Sequence, residues 1–167
     1  MFHRSATGFT LLEILVTIMI IFILSAMIRP MTHVAARRAK EVELKYKLRE
    51  MRRAIDAFKR DWDRDGDKLY GGLCQLNRLS CNEISGENGY PRTLEDLKEV
   101  RYSVGTEERT KRYLRAVPID PMTEEAKWGL RCYDDEPDAT SWCGEDVFDV
   151  FSESTETALD GTQYSEW

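Results

Sequence analysis

An acidic side chain, Glu13, stands inside a run that is otherwise almost wholly apolar. From Phe9 to Ile28 only Thr10, Glu13, Thr17 and Ser25 are polar. A carboxylate at the middle of a membrane helix costs roughly 2.5–3.5 kcal/mol, and less near an end, so its presence asks for a partner. Three small residues, Ala6, Thr7 and Gly8, precede the run. A secretory signal has the reverse order, with its small-residue cleavage site after the apolar core. Cleavage between Gly8 and Phe9 leaves the apolar run on the mature chain and creates a new amine close to Glu13. In an assembly of copies, that amine on one chain and Glu13 on its neighbour neutralise each other.

A second group is Asp61, Asp63, Asp65 and Asp67, with Gly66 among them. Acids at alternate positions followed by glycine form the first half of an EF-hand-type loop, and several converging carboxylates suit calcium. Gly72 occupies the place of the loop's closing acid, so another segment must supply it, and the bland alternative is a solvated helix-ending turn. The third group is four cysteines, Cys74, Cys81, Cys132 and Cys143, all after the apolar run. An even count in a small exported domain indicates disulfides. Three pairings exist, and Cys74–Cys81 with Cys132–Cys143 is favoured because each closes a short local loop. Zinc fits less well, because neither pair has the tight zinc spacing and no histidine follows His33. The same lack of histidine leaves no Ser-His-Asp or Cys-His arrangement after that point, and no Gly-rich phosphate loop is visible, so no enzyme is expected.

The elements that must position these residues follow from periodicity. The 20 residues from Phe9 to Ile28 form a helix of roughly 30 Å, the thickness of a bilayer's hydrocarbon core. The rest of the 167 residues is polar enough to bring the mean hydropathy to -0.50. Beyond Pro30, Leu44, Leu48, Met51, Ile55, Phe58 and Trp62 recur at helical spacing, a stripe read as core packing. Proline removes a helical hydrogen bond, so a kink or local melting is expected at Pro30. The net charge is -6, with Lys and Arg gathered between Arg29 and Arg60 and interleaved with acids. That is a solvated helix face and no nucleic-acid surface. After Trp62 the segment to Gly89, which carries the first cysteine pair, reads as loop-rich, Thr93 with Asp96 as a capped short helix, and Arg101–Lys111 as a mobile loop. Tyr113–Val117 reads as a short strand or turn, and Trp128–Tyr133 and Asp146–Phe151 as strands. The expected fold is α+β: a long N-terminal helix packed on a small antiparallel β-sheet head with long loops. Its parts are a leader at 1–8, a hydrophobic helix at 9–29, an amphipathic continuation at 30–62 and a globular head at 63–167.

Gly8-Phe9-Thr10-Leu11-Leu12-Glu13 resembles the prepilin peptidase site of type IV pilins and type II secretion pseudopilins. Pro30 falls where many members place a helix-kinking proline. Val117-Pro118-Ile119-Asp120-Pro121, then Trp128-Gly129 and Tyr133, is similar to a stretch of the type II secretion major pseudopilins. Asp149-Val150-Phe151-Ser152 with Asp160-Gly161 is similar to their ending. The resemblance implies cleavage after Gly8, methylation of the Phe9 amine, and roles in assembly for Glu13 and Pro30. It implies a filament homopolymer with minor pseudopilins, the prepilin peptidase and an inner-membrane assembly platform as partners. It also implies a single-pass inner-membrane protein with a periplasmic head, which later joins a periplasmic or extracellular filament. Bare counting of Arg4 against Arg29, Arg37, Arg38 and Lys40 points the other way; the cysteines and the resemblance favour the head outside. Calcium at an acidic C-terminal loop is a further implication, with Ser152, Ser154 and Asp160 as its candidate ligands. Met122–Lys127 interrupt the family's stretch, and the usual acidic cluster after Asp160-Gly161 is missing. The alternatives are a minor or adhesive pilin and a membrane-anchored calcium-binding module.

Overall fold

The computed structural model describes residues 8–167, and for residues 26–32 the backbone alone. Contacts divide the chain into two compact units, Met1–Ala39 and Lys40–Trp167. A continuous helix, α1 (Leu11–Trp62), carries the long element expected from the sequence. Its helical backbone continues through Pro30, so the chain does not melt there. One lost hydrogen bond is carried by the turns on either side. The side chain of Pro30, and the leader residues 1–7, lie outside the described residues.

In the first unit, the large apolar side chains from Leu11 to Leu24 are exposed all round, from 46 % at Val16 to 81 % at Leu11. Among the described residues no helix is long and apolar enough to cross a membrane. The expected span from Phe9 to Ile28 runs into residues 26–28, whose side chains lie outside the described set.

In the second unit the amphipathic stripe becomes the core. Leu44, Leu48, Met51, Ile55, Phe58 and Trp62 are all at most 2 % exposed. Burying each such side chain contributes about 1.5–3 kcal/mol. The head's strands form three separate two-stranded antiparallel ladders, a finer division than the expected sheet. These are β1 (Arg64–Asp65) with β2 (Lys68–Leu69), β3 (Val100–Val104) with β4 (Glu107–Lys111), and β5 (Gly129–Arg131) with β6 (Asp149–Phe151).

Two expectations are corrected. Arg101–Lys111 is the β3–β4 hairpin and no loop. Its turn begins at Gly105, φ +64°, a left-handed position glycine adopts without cost. Val100 and Tyr102 face inward, and Tyr102 meets the Trp62 ring edge-on at 5.7 Å. The segment after Trp62 is ordered as β1, β2, α2 (Gly72–Leu76) and α3 (Arg78–Ile84). Of the two readings of Tyr113–Val117, strand or turn, no strand is present: the segment bends at 113 and 115–116, and the amides of Tyr113 and Leu114 donate to the Leu97 carbonyl. The short capped helix is present as a 3-10 turn, Leu94–Leu97, closed by a Thr93–Asp96 capping box.

The polar tail is seated by aromatics. Tyr164 is fully buried, its hydroxyl donates to Glu41 at 3.0 Å, and Lys45 lies 3.8 Å above the Trp167 ring.

Candidate processing and assembly site

The N-terminal junction is open. Gly8 and Phe9 are exposed and precede the helix, and nothing lies within 4 Å of where a Gly8 side chain would sit. A peptidase needs an accessible, non-helical peptide, and the Gly8–Phe9 bond meets both conditions.

Helix α1 begins with a cap that the sequence reading passed over. The Thr10 hydroxyl and carbonyl both accept from the Glu13 amide, at 3.2 and 3.1 Å. Thr10 is therefore the N-cap and Glu13 the third helical position, the spacing of a capping box. The Ser/Thr-x-x-Glu signal was present in Thr10-Leu-Leu-Glu13. Glu13 thus has a local reason for its place: a carboxylate in the first turn complements the positive end of the helix dipole. Cleavage before Phe9 would place an ammonium group at that same end, where a cation is unfavourable, and Glu13 is the acid in that turn.

The two C-terminal stretches singled out in the sequence meet in one joint. The Asp120 carboxylate, fully buried, accepts from the Ser152 hydroxyl at 2.6 Å and from the Met122 amide at 2.7 Å. The Trp128 indole donates to the Pro118 carbonyl at 2.8 Å. Gly129 pairs with Phe151 across β5 and β6, and a side chain at Gly129 would overlap the Phe151 ring. The intervening residues Met122–Lys127 form a local turn, closed by the Asp120 amide on the Glu125 carbonyl and the Glu124 amide on the Asp120 carbonyl. Arg52 fastens this joint to α1 through Asp149 and the carbonyls of Val150 and Trp167.

The cysteines pair as Cys74–Cys81 and Cys132–Cys143. The one cluster with metal-ligating geometry among the described residues, Cys132, Asp135 and Cys143, contains the second disulfide, so its sulfurs are already bonded. Among the described residues the carboxylates of Asp61, Asp63, Asp65 and Asp67 do not converge as a group with coordinating spacing. The Asp61 carboxylate takes the Lys111 ammonium and the Tyr113 hydroxyl, both at 2.6 Å. Burial, followed by the Asp61 carboxylate, pushes the Tyr113 phenol well up. Asp63 lies 3.9 Å from Lys59, and Asp65 and Asp67 are exposed on the β1–β2 hairpin. At the other candidate, Ser152 and Ser154 are buried, whereas Asp160 is exposed and accepts from the amide and hydroxyl of Thr162. Those two bonds hold the Asp160 carboxyl below its ordinary range, and with Gly161 at φ +92° they close a tight turn.

A family model described as the prokaryotic N-terminal methylation motif matches residues 3–28. No curated protein and no solved structure matches the chain. The matched segment contains the open junction, the Thr10 cap, Glu13 and the apolar helix. The motif is a type IV pilin-like prepilin signal, which implies processing by a prepilin peptidase and pilus-like assembly in general.

Proposed function

We propose that this protein is a structural subunit of a type IV pilus-like filament, and specifically the major pseudopilin of a type II protein secretion system. The observation that carries the reading is the methylation motif at residues 3–28, laid over a capped helix whose apolar side chains are exposed all round. Water does not tolerate such a surface, so lipid and then the helices of other copies cover it. Support for the pseudopilin assignment comes from the sequence of the Val117–Tyr133 and Asp149–Gly161 stretches, which build one joint in the head. After cleavage the helix waits in the inner membrane with the head in the periplasm. Methylation keeps the Phe9 amine charged, and Glu13 of a neighbour neutralises it as copies bundle. The chain has no nucleotide loop, so a separate ATPase supplies the work.

Mass analysis of the mature protein tests the processing. The expected product begins at Phe9 and carries one added methyl; an intact Met1, or cleavage elsewhere, overturns the reading. Glu13→Gln tests the assembly role. Glutamine at this position preserves the capping geometry and removes the charge. Processed subunits should therefore remain in the membrane without forming filaments. Wild-type filament yield from Glu13→Gln would reduce Glu13 to a helix-start residue. An excess of this chain over other subunits in isolated filaments, and polymerisation without them, separate a major subunit from a minor one.

A further inference from the structure

Helix α1 carries a second stripe on the side opposite its core. Val42, Tyr46, Arg49, Arg53, Asp56 and Arg60 each stand two residues before a core position, Leu44, Leu48, Met51, Ile55, Phe58 and Trp62. Two residues are about 200° of helix, so this stripe faces away from the core. Val42 is 70 % and Tyr46 64 % exposed. With Ala54, Ala57 and Tyr113 they line an open groove of about 400 Å³, whose charged lining is Arg49 and Arg53 with Glu50 as the one acid between them. Arg53 and Arg60 make no ion pair among the described residues, and the bond of Arg49 is to the Lys45 carbonyl.

The opposite charge lies elsewhere in the same unit. After Arg131 the chain contains no lysine or arginine. The loop closed by Cys132–Cys143 holds Asp134, Asp135, Glu136 and Asp138, and Glu145 follows it; none of these five has a cationic partner among the described residues. Trp142, 39 % exposed, stands on the same loop, tied by its indole to the Asp146 carbonyl. The result, on every copy, is a preordered acidic loop carrying Trp142, and a groove lined by Arg49 and Arg53 beside Tyr46 and Tyr113, with net positive charge after Glu50.

We propose that the groove along α1 receives the acidic loop 134–145 of a second copy of this chain. The inference rests on the filament reading, which places copies side by side. The two surfaces differ, so the contact is head-to-tail and leaves a free groove and a free loop at opposite ends, as an open-ended filament requires. Arginine and aromatic side chains in a groove are the residue types that dominate interface energetics, and complementary charge fixes the register of successive copies. The proposal accounts for charges that the head leaves unpaired, and gives the second disulfide a purpose: holding the acids in one arrangement.

The test replaces Tyr46 by the photoreactive p-benzoylphenylalanine in the full chain, mixes it with isotopically labelled chain, and maps the adducts by mass spectrometry. Adducts joining position 46 of one copy to residues 134–145 of another are expected. Arg53→Glu should reduce their yield about tenfold, because it sets like charges together, and Arg53→Glu with Asp138→Arg should restore it. Arg53→Gln with a salt titration covers the case in which the reversed variant fails to fold. Filaments whose adducts map elsewhere, or whose yield ignores the Arg53 charge, overturn this contact and leave the filament reading standing. Absence of both filaments and adducts removes both. Adducts to 134–145 without filaments keep the contact and remove the filament.

Discussion

Ser152→Ala is the sharpest probe of the head. Ser152 and Asp120 are both fully buried, and the serine hydroxyl is the side-chain donor to Asp120 Oδ2, at 2.6 Å. The amide of Met122 satisfies the other oxygen. Removing the hydroxyl leaves a carboxylate oxygen buried without a donor. A hydrogen bond to a charged group contributes about 1.5–3 kcal/mol, and this one is out of water on both sides, so the upper half of that range is expected. For a unit of this size, each kcal/mol moves the melting temperature by about 3–5 °C, which gives a fall of roughly 5–15 °C. Tryptophan fluorescence of the full mature chain in detergent is the suitable assay, because all four tryptophans, Trp62, Trp128, Trp142 and Trp167, lie in the Lys40–Trp167 unit, and the Trp128 indole is held at the same joint by the Pro118 carbonyl. Asp120→Ala and the double variant complete a cycle. The two single effects should couple by about 1 kcal/mol or more, because the residues are in direct contact. A shift under about 2 °C for Ser152→Ala, with additive effects in the cycle, would refute the reasoning.

Gly129→Ala should destabilise the head by at least about 1–3 kcal/mol, since the new methyl group overlaps the Phe151 ring in a buried ladder; thermal unfolding measures it, and Phe151→Leu in the same chain should recover part of the loss. Asp146 is 5 % exposed, and burial, opposed by the Tyr133 amide and reinforced by Asp134, raises its carboxyl above the ordinary aspartate range. A carboxyl raised in the folded state binds more protons there than in the unfolded chain. Its contribution is fully present below the unfolded value and is lost as pH rises through the raised folded value. Asp146→Asn should therefore be more stable than the wild type at neutral pH, with the difference shrinking towards about pH 4; a difference independent of pH over that window would contradict the assignment.

What was legible in the sequence depended on how local its cause was. The stripe from Leu44 to Trp62 is a repeat within one helix, and every member is buried as its spacing demands. The Thr93–Asp96 cap is likewise three residues wide. The β3–β4 hairpin was hidden because most of its side chains are polar and exposed; its signal was the glycine at Gly105 and the inward alternation of Val100 and Tyr102. The fate of the aspartate run depended on partners far along the chain. Asp61 is engaged by Lys111 and Tyr113, some fifty residues away, and no local pattern announces such a pair. Glu13 is legible by its chemistry, a charge where charge is costly, whereas the Thr10 cap is masked because a threonine inside an apolar run reads equally as a tolerated hydroxyl of the helix.

The same helix shows why processing and packing impose different sequence rules. From Leu11 to Leu24 apolar residues stand on every face, a pattern with no inside and no outside, which suits an environment that is apolar in every direction. From Leu44 onward one face is apolar and fully buried, and the opposite face carries Arg49, Arg53 and Arg60 beside Tyr46, outnumbering the acids Glu50 and Asp56 near them. A helix that needed only to support the head would have no reason to place in one groove an exposed aromatic and arginines that make no ion pair among the described residues. Lysines or glutamates scattered over that face would serve solubility as well. Arginine differs from lysine in presenting a planar fork that pairs with carboxylates and stacks on rings, which makes it a residue of interfaces. The placement of these arginines opposite the core stripe is therefore better explained by contact with another acidic surface than by solvation alone.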